Sequence, residues 1–307
     1  MKLTDVLDEK YESVSSKNIS AMKRSTPYPE KLRDLFREII DSNPQEKSDA
    51  YHKTYDAVFS YIHTISPDQI TSFCSDIMND SSRSEQTKSG YFLSALINAH
   101  AEKTTYDGKY LLILHPEACV QNVGYRNCAN VHIIGNSTGS CQEMNSGKVI
   151  IDGNVGNRFC WRMRNGIVTV LGNAGDFLCW EMIKGSVHIQ GSAENQAGYG
   201  ILEGTLTIEK NVRDQAGWRL NGGKITIKGN AGHNLGQSMK RGNIFVQGNA
   251  GRDTGVLMED GDIFVEGNVL TTTGNRMEGG TIKINGNYES ISPNCRGIIY
   301  HKGKKVW

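Results

Sequence analysis

The sequence predicts a mainly β fold: a right-handed parallel β-helix of about eight coils with a 19-residue period, preceded by a small all-α N-terminal domain. Three observations carry this reading. Glycine is in excess, at 34 of 307 residues, about 11% against a usual share near 7%. The glycines segregate: residues 1–107 hold only Gly90, residues 147–287 hold twenty-seven, and no proline falls between 117 and 292. The glycine-rich tract also keeps a 19-residue period without a slip, opening successive units at Gly147, Gly166, Gly185, Gly204, Gly223, Gly242, Gly261 and Gly280. Such a composition alone suits low-complexity disorder. The strict period selects instead a structure with many φ > 0 turns and unbroken sheet ladders. The expected organisation is a helical docking or capping domain over 1–104, the β-helix over 105–287 and a C-terminal cap over 288–307, with Pro293 ending the sheet.

The first third reads as four helices. Leu32, Leu35, Phe36, Ile39 and Ile40 recur at helical spacing after Pro29, the pattern of an amphipathic helix opened by proline. A second helix, about Gln45 to Ile65, aligns Tyr51, Tyr55, Val58, Phe59 and Ile62. Ser66-Pro67-Asp68-Gln69 is a capping box that starts a third, and Tyr91, Phe92, Leu96 and Ala99 mark a fourth. This domain has no phosphate loop, and His52, His63 and His100 stand at no ligand spacing.

From Gly147 each unit begins G-x-[VIL]-x-[IV]-x-G-N, as in GKVIIDGN, GIVTVLGN and GKITIKGN. Alternation in this segment has period two, which is a strand with one buried face. Pairs such as Val149/Ile151, Val168/Val170 and Ile225/Ile227 face inward. An earlier coil starts near Ala129, and Lys109–Leu114 reads as a leading strand. A leucine-rich repeat or calcium-binding nonapeptide would carry its own signature, and a propeller blade needs about twice the length. Stacked coils about 4.8 Å apart remain, forming a rod of roughly 40 Å. Two rows follow from the register. Asn154, Asn173, Asn211, Asn230, Asn249, Asn268 and Asn287 share one position, with Ser192 the exception; they are expected to form an amide ladder between coils. Met163, Met182, Ile201, Leu220, Met239, Met258 and Met277 share another and read as core, where methionine fills irregular gaps.

The units GNVGNRFCWRMRNG, GNAGDFLCWEMIKG, GNAGHNLGQSMKRG and GNAGRDTGVLMEDG resemble the GXGXG repeat family. That family includes the C-terminal β-helix of the large subunit of glutamate synthase. It also includes the repeat-bearing subunit of formylmethanofuran dehydrogenase and its counterpart in the related formyltransferase/hydrolase complex. The resemblance spans about 129–287. It implies a structural element that holds catalytic subunits or domains together without binding the main cofactors. The catalytic parts of those relatives are not found here: no Cys nucleophile follows Met1, and there is no cluster-binding Cys spacing. The helical third matches none of them.

The repeat departs from its own rule at a few positions. Glu194 and Arg213 stand where other coils have a turn glycine, and Lys210 replaces another. Stacked one coil apart, Glu194 and Arg213 can pair. Cys141, Cys160 and Cys179 keep the 19-residue spacing and occupy the slot of Gly198, Gly217, Gly236, Gly255 and Gly274. A stack of thiols can bind a soft metal or supply a nucleophile beside Arg162; it can equally fill the core. No His is in register to serve as a base. Beside the thiols run Trp161, Trp180, Tyr199 and Trp218, either core packing or a sticky stripe suited to a partner.

Net charge is +1, which argues against a dedicated nucleic-acid or polybasic membrane binder. No apolar run is long enough to span a membrane, and the N-terminus has no apolar segment of a secretory signal. Seven cysteines without CxxC indicate neither a disulfide framework nor a zinc finger. The expectation is a cytoplasmic, non-catalytic scaffold or interaction subunit of an oxidoreductase- or amidotransferase-type complex, with no cofactor or metal. Its partners would be catalytic subunits or a second copy, not nucleic acid or membrane. The alternative is an enzyme in its own right, using the Cys row or a β-helix face. A carbohydrate-cleaving site needs paired carboxylates, and the exposed strand position reads Asp152, Leu171, Gln190, Glu209, Lys228, Gln247, Glu266 and Asn285, with no acidic cluster.

Overall fold

A computed structural model describes residues 27–41, 47–80, 86–113 and 119–307. Helices α1 (Glu30–Asp41), α2 (Lys47–Phe59), α3 (Pro67–Asp80) and α4 (Gln86–Thr104) form the N-terminal third, with a 3-10 turn at Ile62–Thr64. The expected apolar stripes are buried: Leu32, Phe36, Ile39 and Ile40 on α1, and Phe92 and Leu96 on α4. The capping box is formed. The Ser66 N–H donates to Gln69 Oε1 at 2.9 Å, and the Gln69 N–H donates back to Ser66 Oγ at 3.3 Å. The second element ends earlier than the periodicity predicts, because residues 60 and 61 turn and Ile62–Thr64 tightens into 3-10 geometry. No helix among the described residues is long and apolar enough to cross a membrane.

The rest of the chain is a parallel β-solenoid. Its strands are β1 (Lys109–Ile113), β2 (Cys119–Gln121), β3 (Asn130–Ile134), β4 (Asn136–Thr138), β5 (Lys148–Asp152), β6 (Ile167–Val170), β7 (Ser186–Ile189) and β8 (Thr205–Ile208). They continue as β9 (Asn221–Ile227), β10 (Arg241–Val246), β11 (Asp262–Val265), β12 (Val269–Thr273), β13 (Thr281–Ile284), β14 (Tyr288–Ile291), β15 (Ile298–His301) and β16 (Lys304–Lys305). The main sheet runs β1-β3-β5-β6-β7-β8-β9-β10-β11-β13-β15-β16. All of its pairs are parallel except the last, β15 with β16. On a second face the coils touch through single bridges, Val155 to Ala174 to Ala193 to Val212 to Ala231 to Ala250 to Val269. The alternating strand residues form the core: Val149, Ile151, Val168, Val170, Ile225, Ile227, Ile263 and Val265 are all 0% exposed. Burying each contributes about 1.5–3 kcal/mol.

The stack is longer than the eight coils expected. Eleven parallel rungs lie in the main sheet, because the period loosens at both ends. Tyr110 pairs with Val131, Val131 with Val149, and Ile282 with Ile299. The first of these steps is longer than the central period and the other two are shorter, so the outer rungs do not fit the 19-residue lattice. Residues 288–307 therefore carry a further rung, β15. The antiparallel strand β16 then folds over its edge, and the Trp307 indole N–H donates to the Cys295 carbonyl at 2.9 Å.

The helices pack on the opposite end of the stack, sharing one continuous core with the solenoid. The α4 backbone approaches the Gln121 carbonyl so closely that a β-carbon at Gly90 would collide with it; this accounts for the single glycine of the first third. Asn98 ties the two parts together. Its amide donates to Tyr51 Oη at 3.0 Å and to the Tyr125 and Arg126 carbonyls at 3.3 Å, while its oxygen accepts the Cys128 N–H at 3.2 Å. Ser94 Oγ likewise accepts the Gly124 N–H at 2.9 Å.

Candidate functional site

The three stacked thiols sit in left-handed turns, with φ of 56°, 58° and 57° at Cys141, Cys160 and Cys179. All three are 0% exposed. Burial, together with the thiols of Cys141 and Cys179 on either side, pushes the Cys160 thiol well above its ordinary pKa, so it stays protonated. Among the described residues no group of three His, Cys, Asp or Glu side chains is placed to hold a metal ion. Arg162 does not reach into the row. It lies on the outer surface, paired with Glu181 at 3.6 Å. The candidate nucleophiles are thus brought together but sealed from any substrate.

A volume exchange explains why cysteine stands there. In later coils a β-carbon at Gly198, Gly217 or Gly236 would lie 2.5 Å from Cδ1 of Ile225, Ile244 or Ile263 respectively. Each of these isoleucines comes more than a full coil later in the chain than its glycine. At the same offset from Cys141, Cys160 and Cys179 stand Val168, Val187 and Leu206. Valine has no δ-carbon, and the side chain of Leu206 branches at a different atom. The thiols occupy the space that isoleucine tips fill elsewhere, as close packing demands.

The aromatic row faces outward and is half-buried. Trp180 and Tyr199 meet edge to face at 5.3 Å between ring centroids, as do Tyr199 and Trp218 at 5.1 Å, while Phe177 stacks on Trp180 at 5.1 Å. Trp161 carries the Arg162 guanidinium over its ring at 5.9 Å. The indole N–H of Trp180 is buried without a hydrogen-bond partner.

Next to this row is an open cleft of about 400 Å³. It is lined by Arg162, Glu181, Ile183, Tyr199, Gly200, Leu202, Arg219, Asn221 and Lys240. Its origin is local. Glu143, Arg162, Glu181, Arg219, Ser238, Leu257 and Arg276 form a ridge of side chains, one per coil, all with φ between 50° and 57°. Gly200 is the one glycine in that ridge, at φ 62°. A β-carbon there would meet only Glu181 Cγ, at 3.7 Å. Crowding does not require glycine, and the other coils of the ridge carry side chains at similar positive φ, so the effect of Gly200 is to notch the ridge. Arg219 borders the notch and donates to Tyr199 Oη at 3.3 Å.

The Asn row forms the expected ladder, each side chain bonding the next coil. Each side-chain oxygen accepts the backbone N–H of the equivalent residue one coil on. Asn154 accepts from Asn173, Asn211 from Asn230, Asn230 from Asn249 and Asn249 from Asn268, all at 2.8 Å, and Asn268 accepts from Asn287 at 2.7 Å. Asn173 serves Ser192 at 2.8 Å, where the row stops and restarts at Asn211. A second ladder has no single-residue signature, because its members share an acceptor at the δ1 position, oxygen in Asn and Asp and nitrogen in His, and not an identity. Asn157 accepts the Asp176 N–H, Asp176 the Asn195 N–H, Asn195 the Asp214 N–H, Asp214 the His233 N–H and His233 Nδ1 the Arg252 N–H, at 2.7–3.3 Å. The anticipated Glu194–Arg213 pair is present at 2.8 Å and is largely exposed. Such a pair contributes under about 1 kcal/mol.

On the flat outer face His188 Nε2 lies 3.0 Å from Glu209 Oε1, and Lys228 Nζ lies 2.6 Å from Glu209 Oε2. Burial lowers the His188 pKa, with Glu209 opposing. At the helix–solenoid joint, burial and then the neighbouring Glu102 push the Cys128 thiol up to about 12, which removes it as a nucleophile. Compared with known proteins, the chain matches no family model and no curated protein sequence.

Proposed function

We propose that this protein is a non-catalytic scaffold subunit, or an equivalent domain, of a multi-subunit cytoplasmic enzyme. In this reading it serves an oxidoreductase- or amidotransferase-type complex, as its resemblance to the GXGXG repeats of glutamate synthase and formylmethanofuran dehydrogenase implies. One observation carries the reading. The thiols of the Cys row are sealed in the core, while Trp180, Tyr199 and Trp218 form a continuous run of half-buried rings at the surface. Aromatic and arginine side chains are the anchors that interfaces favour. The chemistry then belongs to other chains, and this one fixes their positions.

The test is affinity purification of the full chain from its native cell, followed by mass spectrometry and size-exclusion chromatography. Larger catalytic chains in stoichiometric amount are expected. Trp180→Ala with Trp218→Ala should release them while leaving the fold intact by circular dichroism. A solitary monomer or homodimer with its own turnover would overturn the proposal.

A further inference from the structure

We infer that the cleft at Gly200 is a docking site for an acidic, leucine-type segment of a partner protein, a conclusion that rests on the scaffold reading above. Three cationic side chains, Arg162, Arg219 and Lys240, line the cleft against one carboxylate, Glu181, and that carboxylate is already engaged by Arg162. The protein as a whole is close to neutral, with a net charge of +1, so the excess of positive charge is local. The cleft also exposes apolar surface: Ile183 is 39% and Leu202 43% exposed, two of the few large apolar side chains left open. Both stand in the column that continues to Asn221 and Lys240, so within the cleft the apolar groups give way to an amide and then to one cation.

An occupant that satisfies both must carry carboxylates and aliphatic side chains on one face. Arginine suits this, since its planar guanidinium binds carboxylate with two parallel N–H donors. The notch at Gly200 admits the occupant's backbone where every other coil of the ridge presents a side chain. Glu143 and Glu181 show that the ridge accepts glutamate at the same positive φ. Gly200→Glu therefore fills the notch and lowers its excess of positive charge, at a backbone strain that the other coils of the ridge already carry, and it serves as the decisive variant.

The experiment uses the full chain and a fluorescein-labelled peptide of repeated Leu-Ser-Glu-Ser, which when extended presents Leu and Glu on one face, read by anisotropy. Counterparts with Gln or Lys in place of Glu, and inorganic phosphate as competitor, are measured alongside. The acidic peptide should bind at least about tenfold tighter than the Gln version, with Gly200→Glu and Arg219→Glu each losing about tenfold or more, since like-charge contacts oppose association strongly. Thermal melts of Gly200→Glu should stay cooperative and fall by no more than a few degrees from the parent. Equal binding of all three peptides, no binding of any, unchanged binding by Gly200→Glu, or displacement of the peptide by phosphate at lower concentration than by unlabelled peptide would each overturn the inference. Purification from the native cell separates this from the broader reading. If Gly200→Glu retains the same catalytic chains as the parent, the docking site is wrong and the scaffold stands. If neither retains any, the scaffold reading itself falls.

Discussion

Ser192 and Lys210 form one exception in the lattice, not two. A β-carbon at Gly172 would lie 2.6 Å from Asn154 Oδ1, one at Gly267 would lie 2.6 Å from Asn249 Oδ1, and the glycines at 191, 229 and 248 face Asn173, Asn211 and Asn230 more closely still. A ladder asparagine thus calls for glycine immediately before the ladder position of the next coil. Position 210 is lysine, and the ladder position of the coil before it is Ser192, whose shorter side chain makes no ladder bond to the Asn211 N–H. The second ladder absorbs the same change with less disturbance. Glu194 and Arg213 replace glycines there, and the bonds persist at 3.0 and 3.3 Å. Ser192→Asn with Lys210→Gly is expected to raise stability by about 0.5–1.5 kcal/mol, the net yield of one hydrogen bond. Ser192→Asn alone should give less than the pair. A urea-denaturation cycle over the four variants checks this; strict additivity would refute the coupling.

The thiol slots and the isoleucine tips form a second exchangeable pair. Gly198→Cys places a side chain against Ile225 Cδ1, and overpacking of that kind costs about 1–3 kcal/mol. Ile225→Val removes the obstructing methyl. The double variant should be more stable than the sum of the single effects by about 1 kcal/mol or more. The reverse change, Val187→Ile beside Cys160, should be destabilising, and Cys160→Gly should relieve it.

Sealed thiols react slowly. Peptide mapping after brief treatment with iodoacetamide should find Cys141, Cys160 and Cys179 unmodified in the native protein and modified in urea. Replacing all three by alanine should cost about 1 kcal/mol per lost sulfur, on the scale of a buried methylene, and leave partner capture unchanged. Loss of capture without loss of fold would restore the row as a functional site.

Burial lowers the pKa of His100, His132 and His188 from the ordinary 6.5. Lys109 adds to the lowering at His132, and Glu209 opposes it at His188. In the unfolded chain these imidazoles take up protons near the ordinary value, while in the folded chain they do so only at lower pH. The unfolded state therefore binds more protons in that window, and stability is fully present above about pH 6.5 and falls as pH drops through it. Urea midpoints measured from about pH 7.5 to 5 should decline, and His132→Gln should flatten the slope. A midpoint that rises on acidification would contradict the assignment.

The central coils were legible because three independent signals agree in them: a period-two strand, turn glycines, and a buried Met or Leu position, all repeating with one 19-residue period. The end rungs were not, since their unequal steps, Tyr110 to Val131 to Val149 at one end and Ile282 to Ile299 at the other, break the count while preserving the stacking. Spacing alone revealed the Cys row. Its burial depended on Val168 and Val187, which lie too far along the chain for any local pattern to link them to the thiols. The second ladder was hidden by its mixture of Asn, Asp and His. The Gly200 notch lay in plain view as the single glycine of its column. Its meaning required knowing that the column already tolerates positive φ without glycine.

The two closed ends have a consequence for length. The helices pack on the β1 end, and at the other end the antiparallel β16, two residues long, covers β15 and is the outermost strand, too short an edge to template another chain readily. Eleven rungs at about 4.8 Å then amount to a ruler of about 48 Å whose graduations are single coils. Between any two points on the central coils the separation is a whole number of 19-residue steps, and removing one such step would shorten it by about 4.8 Å.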